Sequence, residues 1–320
     1  GNTPADGNDM IIELAGSEVT VDSGNPAPNT VTVATASDAK LIVASGQSLN
    51  ATGAITVGAG GTLAGEGTVS GTISVAGTVA PGASIGALTV GGGTMALTGS
   101  LEAEVNAKAT STGASDKIVV SATGGPKLTI SGSTLKVSGI GRGSSSAELN
   151  SFGNFTRTVI ESSSPGQAIM GSGEAFAAAV PLAPSGTSTH VGDGAFLRGV
   201  TYNRPLGTGA PIDRVDVELF VAKGGDTDGD GTVHFDDWFD FRPNFSDTGT
   251  GKDWTDGDFD GDGTVHFDDW FIFRPNFSST AYFPSSGPEG GASAVPEPGT
   301  LAMLVAAAVG LLAQGWWRRR

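Results

Sequence analysis

Short apolar bursts that alternate with small polar residues dominate the first half of the chain. From about Thr20 to Val137, an apolar residue recurs at every second position within each burst, and Gly, Ser, Asn or Thr separates one burst from the next. The clearest bursts are residues 31–33, 41–43, 55–57, 73–75, 88–90 and 118–120. A period of two predicts strands with one buried face, and no stretch of this region has helical periodicity.

Strands this short are not stable alone, so we expect residues 1–140 to stack them as rungs of a β-solenoid, a β-helix-like fold. The 51 glycines among 320 residues, with 7% aromatics, agree with many corners and a small core for each rung. A β-sandwich is the structural alternative. Residues 141–222 are rich in Ser, Gly and Ala, which predicts an irregular or β end region with strands at 155–160 and 200–222.

Residues 61–120 contain LAGEGTVSG, VAPGASIGALTVGG and SDKIVV. They resemble the autotransporter-associated β-strand repeat, a family with a spaced glycine, proline and leucine signature. That signature is matched here by Gly77, Pro81, Gly82, Ser84, Gly86, Leu88 and Val90. The resemblance implies a parallel β-helix at a cell surface, in which the repeat is structural and carries no catalytic residues.

An internal duplication marks the acidic segment that follows. DGDGTVHFDDWFDFRPNFS at residues 228–246 recurs as DGDGTVHFDDWFIFRPNFS at 260–278, and only Asp240 against Ile272 differs. Each copy fits a twelve-residue calcium loop, because alternating carboxylates around a sharp turn supply the oxygens that Ca²⁺ requires. The turn falls on Gly231 and Gly263 at loop position 6. The sequence therefore predicts two calcium ions.

The predicted ligands occupy loop positions 1, 3, 5, 7, 9 and 12. In the first copy they are Asp226, Asp228, Asp230, Thr232, His234 and Asp237. In the second they are Asp258, Asp260, Asp262, Thr264, His266 and Asp269. Threonine would offer its backbone carbonyl, and each histidine would contact the ion through water rather than directly.

A short helix is expected after each loop, with Asp236 and Asp268 at its start. Pro243 and Pro275 are expected to end these helices early. The aromatic residues of the helices would form a small core between the two copies, with an exposed aromatic docking edge as the alternative.

The duplicated loops and short helices resemble a type I dockerin over residues 224–280, which implies a small α-helical, EF-hand-like domain. Loop positions 10 and 11, next to the partner-selecting surface in that family, hold Phe235 with Asp236 and Phe267 with Asp268. Small polar pairs are more usual there. The resemblance therefore extends to the calcium ligands and not to the residues that would face a cohesin-like receptor.

Charge and residue usage limit the possible functions. Residues 224–280 hold fourteen aspartates against Arg242, Lys252 and Arg274, within a net charge of −16 for the chain. This excess disfavours nucleic acid as a partner. The chain has no cysteine, and two of its three histidines lie in the loops, which leaves His190 for acid–base chemistry. With only Glu102, Glu104 and Asp116 near the best-matched rungs, we do not expect an enzyme; a glycan hydrolase or lyase is the alternative.

The C-terminal region combines three features. Residues 281–294 read as a flexible linker, Pro296, Glu297 and Pro298 follow, and an apolar run at 301–317 precedes three terminal arginines. The run is long enough for a short transmembrane helix with the arginines on the cytoplasmic side. Residues 295–320 resemble the PEP-CTERM sorting signal of Gram-negative bacteria, which implies recognition and cleavage by an exosortase in the inner membrane.

Together these patterns predict a mainly β, exported protein of the cell envelope or extracellular matrix. Its solenoid would act as a spacer, and its calcium module would serve docking or assembly. A dockerin-bearing component of a polysaccharide-handling assembly is the alternative, with a cohesin-like receptor or a surface polysaccharide as partner. The N-terminus has no charged and apolar leader, so we expect a signal peptide to have been removed or to lie upstream. Chelation of calcium should unfold residues 224–280 and leave the solenoid folded.

Overall fold

A computed structural model of the chain describes residues 7–33, 38–108, 115–121, 127–141, 149, 152–182, 189–245 and 250–278. They belong to one compact unit that spans Gly1–Phe283. The described strands are β1 (Met10–Ile12), β2 (Glu18–Val21), β3 (Val31–Val33), β4 (Ala39–Val43), β5 (Ser48–Val57), β6 (Gly61–Gly65), β7 (Thr68–Val75), β8 (Thr78–Pro81), β9 (Ala87–Leu97), β10 (Ser100–Asn106), β11 (Lys117–Val120), β12 (Leu128–Thr129), β13 (Thr134–Ile140), β14 (Gly153–Ser162), β15 (Ala178–Pro181), β16 (His190–Gly192), β17 (Ala195–Asn203) and β18 (Arg214–Val221).

The strands form two sheets, between which the chain passes alternately. The larger sheet has the order β1-β3-β5-β7-β9-β11-β14-β18-β17-β16, with β12 paired to β9, and the smaller has the order β15-β13-β10-β8-β6-β4-β2. Every pairing from β1 to β13 is parallel. The prediction of a mainly β protein is confirmed, and each apolar burst cited above lies within a strand.

Columns of apolar side chains fill the space between the sheets. In the smaller sheet, strand register aligns five fully buried residues, which are Leu41, Leu63, Val79, Leu101 and Leu135. The polar residues between them point outward, as the alternating burial of β4, β10 and β13 shows. Each strand is too short to bury its own apolar face, so stability comes from these columns and from the ladder of backbone hydrogen bonds.

Two corners are so tightly stacked that only glycine fits. A Cβ atom at Gly77 would lie 2.1 Å from the carbonyl oxygen of Gly61. One at Gly99 would lie 1.9 Å from the carbonyl oxygen of Gly77. These contacts are with backbone atoms that successive turns of the chain hold in register, so no side-chain movement can relieve them.

The end region is more regular than its composition predicts. β14 pairs parallel with β11 on one side and antiparallel with β18 on the other, so the sheet changes direction at β14. β17 and β18 then form a long antiparallel pair. The strand expected at 155–160 lies within β14, whereas the segment expected as a closing strand at 200–222 is divided between β17 and β18. The three strands form one antiparallel cap, in which bulges near Thr158 and Leu197 interrupt the alternation.

The acidic segment folds into helix α1 (Phe235–Asn244), a 3₁₀ helix (Trp254–Asp256) and helix α2 (Phe267–Phe273). The expectation that Pro243 ends its helix is wrong, since α1 continues through Pro243. The proline lies in the last turn, where the side-chain amide of Asn244 donates to the carbonyl of Asp240 at 2.9 Å. α2 ends before Pro275, as expected.

Among the described residues, no helix combines the length and the apolar character that crossing a bilayer requires. The linker expected at 281–294, the sorting signal expected at 295–320 and the transmembrane helix expected at 301–317 all lie outside the described residues.

Candidate metal centre

Each acidic loop wraps around its first aspartate. The two carboxylate oxygens of Asp226 accept hydrogen bonds from the backbone N–H groups of Gly229 at 2.6 Å and Gly231 at 3.1 Å. Asp258 accepts from Gly261 and Gly263, both at 2.8 Å. Gly231 and Gly263 have φ values of 93° and 86°, a left-handed conformation that glycine adopts without strain. The duplicated sequence therefore gives the same turn twice.

Carboxylates from each loop converge on one point. In the first loop, one oxygen from each of Asp226, Asp228 and Asp237 lies within 4.8 Å of the others, and Asp258, Asp260 and Asp262 form the same kind of group in the second. Ca²⁺ binds oxygen at roughly 2.3 to 2.6 Å, so ligands on opposite sides of the ion are about 4.6 to 5.2 Å apart. Both clusters are the right size for such an ion, and their donors are all oxygen.

The closing aspartates, Asp237 and Asp269, are fully buried and join the loops to the helices. One oxygen of each accepts the backbone N–H of the preceding histidine, His234 at 2.8 Å and His266 at 2.9 Å. These bonds cap the helix N-termini. Asp236 and Asp268 lie in the first turn of their helices, as expected, but their carboxylates are exposed, and Asp237 and Asp269 form the caps.

The other predicted ligands lie beside the clusters rather than within them. Asp230 is outside the first group of three, and Asp269 is outside the second. The hydroxyl of Thr232 donates to Asp230, and that of Thr264 donates to Asp262. The ring of His234 lies 3.3 Å from Asp237, and the ring of His266 lies 3.1 Å from Asp262. Contact of the histidines with an ion through water stays a prediction.

Burial and mutual repulsion raise the pKa of the clustered carboxylates. Burial raises the pKa of Asp258 to about 6, and the negative charges of Asp269 and Asp260 act in the same direction against the hydrogen bonds from Gly263 and Gly261. Burial also raises the pKa of Asp237 and Asp269. A bound cation would relieve this repulsion and hold the carboxylates in their charged form.

The two copies differ at two positions that contact each other in the structure, although the sequence did not show that they are partners. Thr227, in the first loop, is buried and donates its N–H to Asp237 at 2.7 Å and its hydroxyl to both Asp237 and Asp240. The second copy has Phe259 and Ile272 at the equivalent positions, and both belong to the apolar core of the module. The single mismatch between the repeats, Asp240 against Ile272, was the signal for this exchange of a polar pair for an apolar one.

Aromatic residues of the helices serve as both core and surface. Trp238 meets Trp270 edge to face at 5.5 Å, and the rings of Phe241 and Phe273 stack at 5.5 Å. Six other phenylalanines, Phe235, Phe239, Phe245, Phe267, Phe271 and Phe277, are between 37% and 64% exposed. The expected core between the copies is therefore present, and an aromatic surface is present beside it.

Three of the four residues considered for acid–base chemistry have structural partners. Glu102 forms an ion pair with Lys136 at 3.0 Å. Asp116 is buried and accepts backbone hydrogen bonds from Gly86 and Glu104. His190 is buried near Phe196, accepts the N–H of Gly194 at 3.3 Å, and has its pKa lowered by burial.

A scan against protein families finds the PEP-CTERM protein-sorting motif at residues 294–320. The match agrees with the signal expected at 295–320 and supports an exported protein with a C-terminal sorting signal that exosortase-type machinery recognises. A comparison with curated proteins finds no match.

Proposed function

We propose that this chain is a non-catalytic, exported surface or matrix protein in which a β-solenoid acts as a spacer and a paired-loop module binds two calcium ions. The observation that carries the proposal is the duplicated convergence of three carboxylates within 4.8 Å in each loop. The sorting motif at residues 294–320 supports export. The parallel columns of buried residues support the solenoid.

Calcium is favoured over other metals by the donor set. The clusters offer carboxylate oxygens, and the nearby histidines are too few for the nitrogen-rich sites that zinc, copper or nickel prefer. Asp226 and Asp258 would bind the ions from the first loop position. Hydrogen bonds from the N–H groups of Gly231 and Gly263 orient these two carboxylates. Bound calcium would supply a positive charge that makes the buried, repelling carboxylates stable.

The test counts calcium ions in matched variants by titration calorimetry after chelator treatment. We expect two ions for the unaltered chain and one each for Asp226→Asn and Asp258→Asn. Asp236→Asn and Asp268→Asn remove the same charge from exposed loop position 11, which is not a predicted ligand position, and should still bind two. Equal stoichiometry for the cluster variants and the controls, or no calcium binding by the unaltered chain, would contradict the proposal.

A second candidate function is docking through the module, as a dockerin-bearing component that binds a cohesin-like receptor. The exposed phenylalanines favour it, because they form two equivalent pairs: Phe235 with Phe277, and Phe245 with Phe267, each edge to face at 5.2 Å. Exposed aromatic groups of this kind are enriched at protein interfaces. A purified cohesin domain should bind the chain only with calcium present, and Phe239→Ser with Phe271→Ser should abolish binding. Absence of binding would remove this candidate and leave the calcium proposal intact.

A further inference from the structure

A cleft of about 580 Å³ lies between the β end region and the second acidic loop. One wall contains Ser138 of β13 and Asp193, in the turn after β16. The other contains Asp253 and part of the second loop. Small-molecule sites usually have volumes of roughly 300 to 1,000 Å³, so the cleft is large enough for a mono- or disaccharide.

The cleft distinguishes the two loops. Asp258 and Asp260, two of the three carboxylates in the second cluster, line it, whereas no member of the first cluster does. β17 covers the first loop on the side of Gly229, while Asp228 and Asp230 of that loop remain exposed. The ring of Phe196 packs on Gly229, and Arg198 donates to the Gly229 carbonyl. A cation in the second loop would therefore be reached from the cleft, and one in the first loop would not.

The lining chemistry favours a ligand that donates many hydrogen bonds. Asp193 and Ser138 bring oxygen acceptors to the cleft beside apolar surface from Val191 and Phe259. Asp253 adds its second carboxylate oxygen, because the first accepts the N–H groups of Thr255 and Asp256 and caps the 3₁₀ helix. Sugar rings combine hydroxyl donors with apolar C–H faces and suit such a surface.

The net charge of the cleft lining favours neutral ligands over anionic ones. Four aspartates and one lysine line the cleft, and Lys252 already donates to Asn244 at 2.7 Å. A bound divalent cation would neutralise most of the excess negative charge, and the net charge that remains disfavours an anionic ligand.

The second cluster has room for an outside oxygen. Calcium takes six to eight oxygens. Asp269 stands outside the group of three and accepts backbone N–H groups from Phe259 and His266 at 2.7 and 2.9 Å. Hydroxyl oxygens of a sugar are hard, neutral donors that could complete the shell from the cleft.

We propose that this cleft binds a neutral glycan and that calcium in the second loop strengthens the binding. The second clause rests on the calcium function proposed above. The cleft residues Asp193 and Asp253 accept hydrogen bonds from sugar hydroxyls, while Asp258 and Asp260 hold the cation at the edge of the cleft.

The experiment titrates the full chain with cellobiose, maltose and methyl α-mannoside, monitored by calorimetry and by saturation-transfer NMR, with millimolar calcium or with chelator. We expect at least one of these sugars to bind, and to bind at least tenfold more weakly after chelation. Asp193→Ala should weaken binding at least tenfold while still taking up two calcium ions, which separates loss of the cleft from loss of the fold. Asp258→Asn should behave like chelation. Asp268→Asn, an exposed neighbour outside the cleft, should bind like the unaltered chain.

Each outcome has a defined meaning. Two bound calcium ions with no sugar binding would overturn the cleft proposal and leave the calcium function standing. Sugar binding that is the same with calcium, with chelator and in Asp258→Asn would overturn the role of the second loop. Preference for glucuronate or for lysine methyl ester, titrated in the same way, would overturn the assignment of a neutral ligand.

Discussion

Asp116 is a buried carboxylate that connects two segments of the parallel β region. Its two oxygens accept the backbone N–H groups of Gly86 at 2.7 Å and Glu104 at 2.9 Å, so it ties the turn after β8 to β10. Burial raises its pKa to about 7, although the two N–H donors act in the opposite direction, and the charges of Glu104 and Glu66 add to the increase. The folded protein therefore holds a proton at Asp116 more tightly than the unfolded chain does.

The pH dependence of stability follows from this pKa. Because the folded value of about 7 exceeds the ordinary value of 3.8, the stabilising contribution is complete below about pH 4 and is lost as the pH rises to 7. The loss should be on the order of 2 to 4 kcal/mol. Urea unfolding between pH 4 and 8 should show the unaltered chain losing stability relative to Asp116→Asn. A difference between the two proteins that stays constant with pH would contradict the prediction.

At the scale of single elements, the sequence predicts secondary structure best where one physical constraint dominates. The period-two bursts predicted the strands of residues 31–120, because burial of one face is the dominant constraint there. The sequence was less informative for β14, β17 and β18, because bulges interrupt the apolar alternation of these strands. Their antiparallel pairing depends on contacts between distant segments, which local patterns do not encode.

The acidic loops also combine features that residue spacing predicts with features that depend on tertiary contacts. Their turns and first aspartates follow from spacing, since the same glycine and carboxylate positions recur in both copies. The pairing of Thr227 with Asp240 could not be predicted from spacing, because it depends on a buried hydroxyl that only the three-dimensional contact explains. The residue that caps the first helix also depends on the three-dimensional structure, because Asp237, and not its neighbour Asp236, accepts the backbone N–H of His234.

The stacked corners give a prediction for the stability of the parallel strands. Gly99→Ala should lower the free energy of unfolding by roughly 2 to 4 kcal/mol, because its Cβ would overlap the carbonyl oxygen of Gly77. Gly173→Ala is a matched control, since no atom lies within 4 Å of the added Cβ and the backbone there has no positive φ. Denaturant unfolding measures both. Equal effects of the two substitutions would show that the corner tolerates a side chain.

At the scale of the whole molecule, the acidic module (residues 224–278) and the last β strands share one core. Phe196 and Phe220 from the last strands pack in the same cluster as Phe241, Phe259 and Phe273 from the module. The indole N–H of Trp254 also donates to the carbonyl of Asp226 at 2.7 Å, which links the 3₁₀ helix to the first loop. The module is therefore coupled to β17 and β18. Unfolding of the module should also destabilise these two strands, which precede it in the chain.

Chelation should reveal the extent of this coupling. For a dissociation constant near 1 μM and millimolar calcium, each ion would contribute on the order of 4 kcal/mol, enough to decide whether the module folds. Hydrogen exchange with mass spectrometry should show loss of protection in residues 224–278 after chelation. A smaller loss should appear in β17 and β18, because their aromatic residues lose their partners. Protection in β3 to β10 should remain, because the columns of apolar residues there have no contact with the second core. Uniform loss along the chain would mean that the acidic module supports all of the parallel strands, and no loss anywhere would mean that the module folds without calcium.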